Sequence, residues 1–495
     1  MKLLDLLEGV EILACKVDLK CDVGEPCSDS RKIASNGVFI AIIGEKRNGN
    51  DYIYQVLERG GKCVITDSYE AYSANPNTIL VRNTRLAEAH VWNNYYGRPT
   101  RDISIVAITG TNGKTSCAYY IYNILKASNK KRGLISTIEC LINDEPYQIN
   151  GGSGVIDINA SMTTPDPEIL YSIFNEMRKN GVQYIVMEAS SHALEQFKLA
   201  PLKIEVGVFT NLSSEHLDFH KNMDEYYKAK KRLFEITENA IINIDDHYGK
   251  RLCEEININK ITCSLNSANY VAHDISILDS GCSYKLTRDE LTLSISSKTG
   301  GAFSVYNTML SAITALSLGI DKRKIEEGIL STSYIKGRLE RVGNERIFID
   351  YAHTPNAIEN ALLTIRQAMP KGRLIALFGC GGDRDKSKRP KMAKIASSIA
   401  DMIIITADNS RNESLIDIIA DIMKGIPKEK SFAVIPQRED AIKFGLREMQ
   451  GDDILVLLGK GHEEYEIDDK GKHYFSERKI IEEALRHDKN KGVQS

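Results

Sequence analysis

The stretch ISIVAITGTNGKTS, residues 103–116, decides how the chain is read. Its first half is an apolar run without alternation, the pattern of a strand buried on both faces of a parallel sheet. TGTNGKTS (109–116) then resembles a phosphate-binding loop, yet Gly110 and Gly113 enclose only Thr111 and Asn112, where the usual loop holds four residues. The context still fits, because SCAYYIYNILKAS follows with Ala118, Ile121, Tyr122 and Leu125 at helical spacing. Such a strand, loop and helix turn the backbone N–H groups of Gly113 to Thr115 toward a triphosphate. Lys114 then lies near the outer phosphates, with the Thr115 hydroxyl on Mg²⁺. Gly110, Thr111, Asn112, Gly113, Lys114, Thr115 and Ser116 are therefore the expected ATP-binding loop.

Outward from the loop, the buried-strand pattern recurs at YIVME (184–188), VGVFTN (206–211) and AIINID (240–245), and again at RLIALFG (373–379), MIIITAD (402–408) and DILVLLG (453–459). A chain of 495 residues exceeds what one hydrophobic core organises. The expected fold is α/β with three domains: residues 1–98, small and turn-rich; 99–334, a central P-loop-type parallel-sheet ATPase; and 335–495, Rossmann-like. Ligands of such sheets bind outside the carboxyl ends of the strands, where Gly, Asp and Asn cluster here.

Composition narrows the partners. Lys and Arg number 64 against 67 Asp and Glu, so no overall field recruits nucleic acid, and small molecules are expected instead. The start, MKLLDLLEGVEILACKV, lacks a secretory pattern, and no run reaches the ~18 apolar residues of a membrane span. Ten scattered Cys without a C-x-x-C pair suit reduced thiols in a cytoplasmic protein with no membrane insertion.

Two polar residues at strand ends, Glu188 and His216, are placed to reach the phosphate loop, and a carboxylate and a neutral imidazole can both ligate Mg²⁺. On a helix through EYYKAKKRLF, Lys230 lies one turn from Tyr226, Leu233 and Phe234 on the half-buried face, whereas Lys228 points to solvent.

The loop does not stand alone. EASSHAL (188–194), FTNLSSEHLDFH (209–220), YKAKKRLF (227–234), GRLERV (337–342), DYAHTP (350–355), FGCGGDRDKSKRP (378–390), DNSRNE (408–413) and GKGHEEYE (459–466) complete a series over nearly the whole chain. In form and order it resembles the Mur ligase family of ATP-dependent amide-forming enzymes. The resemblance implies that Lys230 is N-carboxylated by CO₂ and, as a carbamate, joins Thr115, Glu188 and His216 around two Mg²⁺. Lys114, Lys230, His216 and Glu188 would then be the catalytic set. It further implies an adenine contact at Asn307, and phosphate and ribose contacts at Arg338 and Asp350, with His353 in the same nucleotide-facing motif.

SDSRKIASNGVFIAIIGEKRNGNDYI (28–53) is similar to the uridine-diphosphate recognition domain of the members that add the third residue of the peptidoglycan peptide. In those members Ser30 contacts uridine, and Thr163, Thr164, Ser190, Gln196 and Lys198 hold the muramoyl dipeptide. Arg384, Asp408, Asn409, Arg411, Gly459 and Glu463 match the positions that read the incoming amino acid. Two guanidiniums suit a carboxylate and a Glu suits an ammonium, which points to meso-diaminopimelate over L-lysine.

The implied reaction joins that amine to UDP-N-acetylmuramoyl-L-alanyl-D-glutamate through an acyl phosphate, in a cytoplasmic monomer using ATP. The general base for the amine is unassigned. Four motifs depart from the family pattern: Asn48 to Asn50 for D-G-H, Lys198 for Arg, Glu215 for Asp and Ser410 for Pro. A binding protein without catalysis and a plain P-loop ATPase are the rival classes, as are folylpolyglutamate and cyanophycin synthetases within the enzymes.

Overall fold

The structure, a computed structural model, describes residues 1–44, 47–151, 154–156, 163–215, 219–278, 281–343 and 346–492. These form two compact bodies. One comprises Met1–Gly110, Leu125–Thr210 and Asp224–Thr262; the other comprises Thr111–Ile124, Asn211–Met223 and Cys263–Ser495.

The first body contains two main sheets, besides a two-stranded pair, Ile149–Gly151 with Gly154–Ile156. Near the N-terminus, strands run in the spatial order Ile12–Cys15, Thr78–Val81, Cys63–Thr66, Val38–Ile40, Pro26–Cys27, parallel except for the first. The larger sheet runs Thr237–Asn243, Ile204–Phe209, Ser104–Thr109, Tyr184–Glu188, Arg132–Ile135 in parallel. Short antiparallel strands Cys140–Ile142 and Glu145–Pro146 extend it. The apolar runs are central strands because both faces are covered: Ile105 to Ile108 and Ile185 to Met187 are buried without a break. Their carboxyl ends lie side by side and so deliver Gly110, Glu188 and Thr137 to one edge of the sheet.

In the second body, strands Tyr270–Leu278, Gly281–Arg288 and Leu291–Ser297 form an antiparallel meander against the helix Ala302–Ser317. Sequence reading missed this meander. Its signal was present in LTLSISS, whose burial alternates residue by residue as a one-sided strand requires.

The six-stranded sheet of the same body runs Glu340–Arg341, Ile347–Asp350, Ile454–Leu458, Leu374–Phe378, Met402–Ile405, Ser431–Val434, parallel after its first strand. One apolar core covers one face beneath Pro355–Ala368, Lys388–Ile399 and Leu415–Met423; another covers the opposite face beneath Arg438–Glu448 and Glu477–Gly492. This is the doubly wound arrangement, with Asp350, Gly459, Gly379 and Asp408 all at carboxyl ends or just beyond them.

Two of those ends are tied by one cation. The fully buried Arg438 donates to the carbonyls of Ala407 (2.8 Å) and Leu458 (2.9 Å) and pairs with buried Glu477 at 2.8 Å. Removing one partner of a buried pair costs about 3–5 kcal/mol, since it leaves the other charge uncompensated. Arg438→Met should therefore lower the denaturant midpoint of this body clearly, and an unchanged midpoint would refute the role given to the pair.

Candidate active site

The phosphate loop is held by its surroundings rather than by its own length. Gly113 has φ +87°, and a Cβ there would overlap the Asn307 amide oxygen, so only glycine fits the turn that opens the helix Lys114–Ala127. The segment after Phe209 closes the loop from outside. Thr111 N donates to Asn211 O (2.8 Å), Asn112 N to Asn211 Oδ1 (3.0 Å), and Ser213 N to Thr111 Oγ1 (3.0 Å). Lys114 Nζ donates to Thr111 O at 2.8 Å, curled over the loop where the outer phosphates are expected.

Residues from the C-terminal sheet meet this loop within the second body. Arg338 Nη2 donates to Thr115 Oγ1 (3.1 Å), and its guanidinium lies 4.9 Å from the centre of the Tyr351 ring. Asn112 Nδ2 donates to Asn356 Oδ1 at 3.2 Å. Asp350 accepts from Leu339 N (2.7 Å) and Ala352 N (2.8 Å); burial raises its carboxyl pKa while Arg338 opposes the rise. His353 bonds the Tyr351 carbonyl through Nδ1 (2.8 Å), and its Nε2 lies 3.6 Å from Glu215. Burial, with Lys388 nearby, lowers the His353 pKa and favours the neutral ring.

In the first body, Glu188 is fully buried and accepts from Thr137 N (2.7 Å) and Thr137 Oγ1 (3.1 Å). Lys230 is more buried than its helical spacing alone implied, at 1% exposure. Its Nζ donates to Gly110 O (2.8 Å) and lies 4.6 Å from the Tyr226 ring centre, while Lys228 is exposed. His216 lies outside the described residues. Among the described residues no three His, Cys, Asp or Glu side chains cluster as a metal site.

The expected precursor-binding residues are also in this body. Thr164 Oγ1 links Glu188 O (2.9 Å) to Ser190 Oγ (3.3 Å), Ser190 caps the helix Ser191–Glu195, and Gln196 ends it. Thr163 Oγ1 lies 3.1 Å from Thr137 Oγ1, within hydrogen-bond distance. Lys198 is buried with its Nζ 2.7 Å from Asp166, so the Lys in place of Arg is a point cation already held by the T-T-P-D segment. The Ser30 carbonyl accepts from Arg59 (2.9 Å). Asn48 keeps the capping role of an Asp by accepting from Asn50 N (3.0 Å), while Asn50 Oδ1 accepts from Thr66 (2.7 Å).

The six expected amino-acid-binding residues converge in the second body. Asn409 Oδ1 accepts from both Lys460 Nζ and Ile467 N at 3.0 Å, which fixes the amide so that Nδ2 must donate to Glu463 Oε2 (2.9 Å). Tyr465 OH donates to the other oxygen of Glu463 at 3.2 Å. Burial raises the Glu463 pKa and Asp408 adds to it, while Lys460 opposes both. Burial pushes Asp408 upward too, but Lys460 and Arg438 hold it below its usual value.

Gly459 has φ +111°, and a Cβ there would come 2.9 Å from Asp408 Oδ2. Arg411 is left-handed at φ +53°, and its Nη1 donates to the carbonyls of Gly382 (3.0 Å) and Asn409 (3.1 Å). Those bonds hold the loop where Ser410 supplies no proline ring. Arg384 is exposed across Gly381 from Arg411: a Cβ on Gly381 would lie 2.9 Å from Arg411 Nη1 and 3.8 Å from Arg384 Cγ.

Residues 108–315 match the Mur ligase middle domain, and 337–461 match the Mur ligase glutamate ligase domain. The chain belongs to the Mur ligase family. Among curated Mur ligases, it is 40% identical to the UDP-N-acetylmuramoyl-L-alanyl-D-glutamate--2,6-diaminopimelate ligase of Caldanaerobacter subterraneus subsp. tengcongensis, over 98% of this chain and 99% of that one. It is 38% identical to the enzyme of the same name from Clostridioides difficile, with the same coverage. A solved structure of a Mur ligase of that name matches with a TM-score of 0.68 at 27% identity, covering 99% of both chains.

Two parts of this Mur ligase site escaped sequence reasoning. Buried Arg389 donates to both oxygens of Glu413 (2.8 and 2.7 Å), to Asp421 (3.0 Å) and to Gly381 O (3.2 Å), tying the Arg384 loop to the Arg411 loop. Lys460 is the other. Both stand inside quoted motifs, but nothing in a motif tells a buried cation from a ligand-facing one.

The Gly113 turn yields a direct test. A methyl group at 113 meets Asn307 and a disfavoured φ together, so Gly113→Ala should weaken ATP binding at least ~10-fold, about 1.4 kcal/mol, as read by calorimetry with a non-hydrolysed ATP analogue. Unchanged affinity would show that this contact does not shape the loop.

Proposed function

We propose that this Mur ligase adds meso-diaminopimelate to the D-glutamate of UDP-N-acetylmuramoyl-L-alanyl-D-glutamate in peptidoglycan precursor synthesis, with ATP converted to ADP. The observation that carries the specificity is Glu463, fixed as an acceptor by Asn409 and Tyr465, beside the loops bearing Arg384 and Arg411. A carboxylate pairs with an ammonium, and two guanidiniums pair with a carboxylate; the distal end of meso-diaminopimelate carries both.

In the first step an oxygen of the D-glutamyl carboxylate attacks the γ-phosphorus, and the bond to the ADP oxygen breaks. The acyl phosphate that forms carries the leaving group a carboxylate lacks. In the second step the amine nitrogen attacks the acyl carbon, inorganic phosphate departs, and the amine gives up its proton. Lys114 and the amides of Gly113 to Thr115 offset charge on the transferred phosphoryl, a matter of positioning and electrostatics. Arg338, which bonds Thr115 in the structure, exchanges that hydroxyl for a phosphate oxygen when nucleotide enters.

Mur ligases use Mg²⁺ with ATP, and the donor types suit it. Thr115 offers a hydroxyl and Glu188 a buried carboxylate. Lys230 offers oxygen once its amine takes up CO₂, forming an N–C bond and releasing a proton. Held by these residues, Mg²⁺ would supply positive charge where the phosphoryl group is transferred. The enzyme is read as a cytoplasmic monomer; among the described residues, no helix is long and apolar enough to cross a membrane.

Phosphate release with ATP, Mg²⁺ and the UDP-precursor should be at least ~100-fold more efficient with meso-diaminopimelate than with L-lysine, because lysine leaves the guanidiniums unmatched. Mass spectrometry should identify the tripeptide product. Preference for lysine would overturn the specificity, and no amide with either would overturn the enzyme reading in favour of precursor binding alone. Lys230→Ala should lower kcat at least ~100-fold and recover in part with a small carboxylic acid, since that supplies the missing oxygens. Full activity without the acid would remove the carbamate from the mechanism.

A further inference from the structure

We propose that Lys460 is a positioning residue for the incoming diamino acid: it fixes the Asn409 amide and so keeps Glu463 presented as an acceptor, without itself touching ligand. This rests on the reading of Glu463 as partner of the distal ammonium. Lys460 is fully buried, and no solvent satisfies its three N–H groups. Two go to Asn409 Oδ1 (3.0 Å) and the Tyr465 carbonyl (2.8 Å), and the ammonium lies 3.7 Å from Asp408 and 3.9 Å from Glu463.

An amide has one acceptor end and one donor end. With Lys460 and Ile467 both donating to the Asn409 oxygen, its nitrogen can face only Glu463, and it donates there at 2.9 Å. The hydrogen bond favours the ionised form of Glu463, the form an incoming ammonium needs.

Without Lys460, the amide loses its stronger orienting partner, and Asp408 and Glu463 face each other with no cation between them. The titratable groups facing Glu463 are Asp408, Lys460, Tyr465 and Tyr351; Arg438 and His353 act on Asp408, and Glu466 adds a carboxylate near Lys460. All except Lys460, Arg438 and His353 are acids, so removing Lys460 pushes Glu463 toward its protonated form.

The test is steady-state kinetics of the full-length enzyme for all three substrates, with a pH profile of kcat/KM for meso-diaminopimelate. Lys460→Met should raise KM for that substrate at least ~10-fold while KM for ATP and the UDP-precursor stays within about twofold. The acid limb of the profile should move up by about one pH unit, since a group needed as an anion now loses its proton later. Combining Lys460→Met with Asn409→Ala should cost little more than either alone, because both cut one chain of contacts.

Equal losses for all substrates, an unmoved acid limb or additive effects would overturn the proposal. If Lys460→Met does not fold, Asn409→Asp tests the same link: it keeps an acceptor for Lys460 but has no N–H for Glu463, and it should move the acid limb in the same direction. An unmoved limb in Asn409→Asp overturns the proposal as well. Glu463→Gln separates the two readings. If it leaves KM for meso-diaminopimelate unchanged, the ammonium assignment fails and this proposal with it; if it raises KM while Lys460→Met does not, only the role of Lys460 fails.

Discussion

The Asn307 amide oxygen occupies the space that a Cβ on Gly113 would need, and the shape of the phosphate loop depends on that close approach. It leaves room only for glycine, and that glycine is left-handed one residue before the helix begins, which sets the direction of the first N–H groups. A loop two residues shorter than usual has fewer bonds of its own to hold that shape. The missing ones come from Asn211 and Ser213, whose backbone and side-chain groups pair with Thr111 and Asn112. The motif beginning FTNLSS is therefore part of the phosphate loop in a physical sense, although about a hundred residues separate them.

At the other end of the site the same problem has a different solution. Parallel strands bring their carboxyl ends to one edge, but the loops that follow have no ladder to hold them. Three buried cations serve instead: Arg389 joins the loops of Gly381 and Glu413, Arg438 joins those of Ala407 and Leu458, and Lys460 joins Asn409 to Tyr465. Hydrogen bonds from Arg389 and Lys386 hold the Glu413 carboxyl well below its ordinary value. Since the folded pKa is depressed, the stability this pair contributes is present above the ordinary Glu value of about 4.3 and is lost as pH falls toward the folded one.

The fold was legible wherever a strand is buried on both faces. ISIVAIT, YIVME, RLIALFG, MIIITAD and DILVLLG each became a central parallel strand, because an uninterrupted apolar run has no polar face to give water. The meander at 270–297 went unread because its strands cover only one face, and alternation over seven residues is easily lost among Ser, Thr and Lys. In the site, the spacing of Tyr226, Lys230 and Phe234 put the lysine on the inner face, and Lys230 is buried there. What spacing could not give is polarity. That Asn409 must turn its nitrogen to Glu463 follows from two donors, one of them the N–H of Ile467 in a hairpin nearly sixty residues away.

The departures from the family pattern sort by the same physics. A side chain can change where its neighbours still supply the interaction it made. Asn48 replaces an acidic cap because capping needs an oxygen rather than a charge. Ser410 replaces a proline because the Arg411 guanidinium and the Gly382 carbonyl already hold the loop. Lys198 is different, since Asp166 has taken its ammonium at 2.7 Å and a lysine cannot pair with a second carboxylate through a fork. Its point charge is already shared with Asp166, and it lacks the planar fork that lets an arginine hold a carboxylate through two parallel bonds. A substitution that keeps the charge thus still changes the geometry with which that charge can be used.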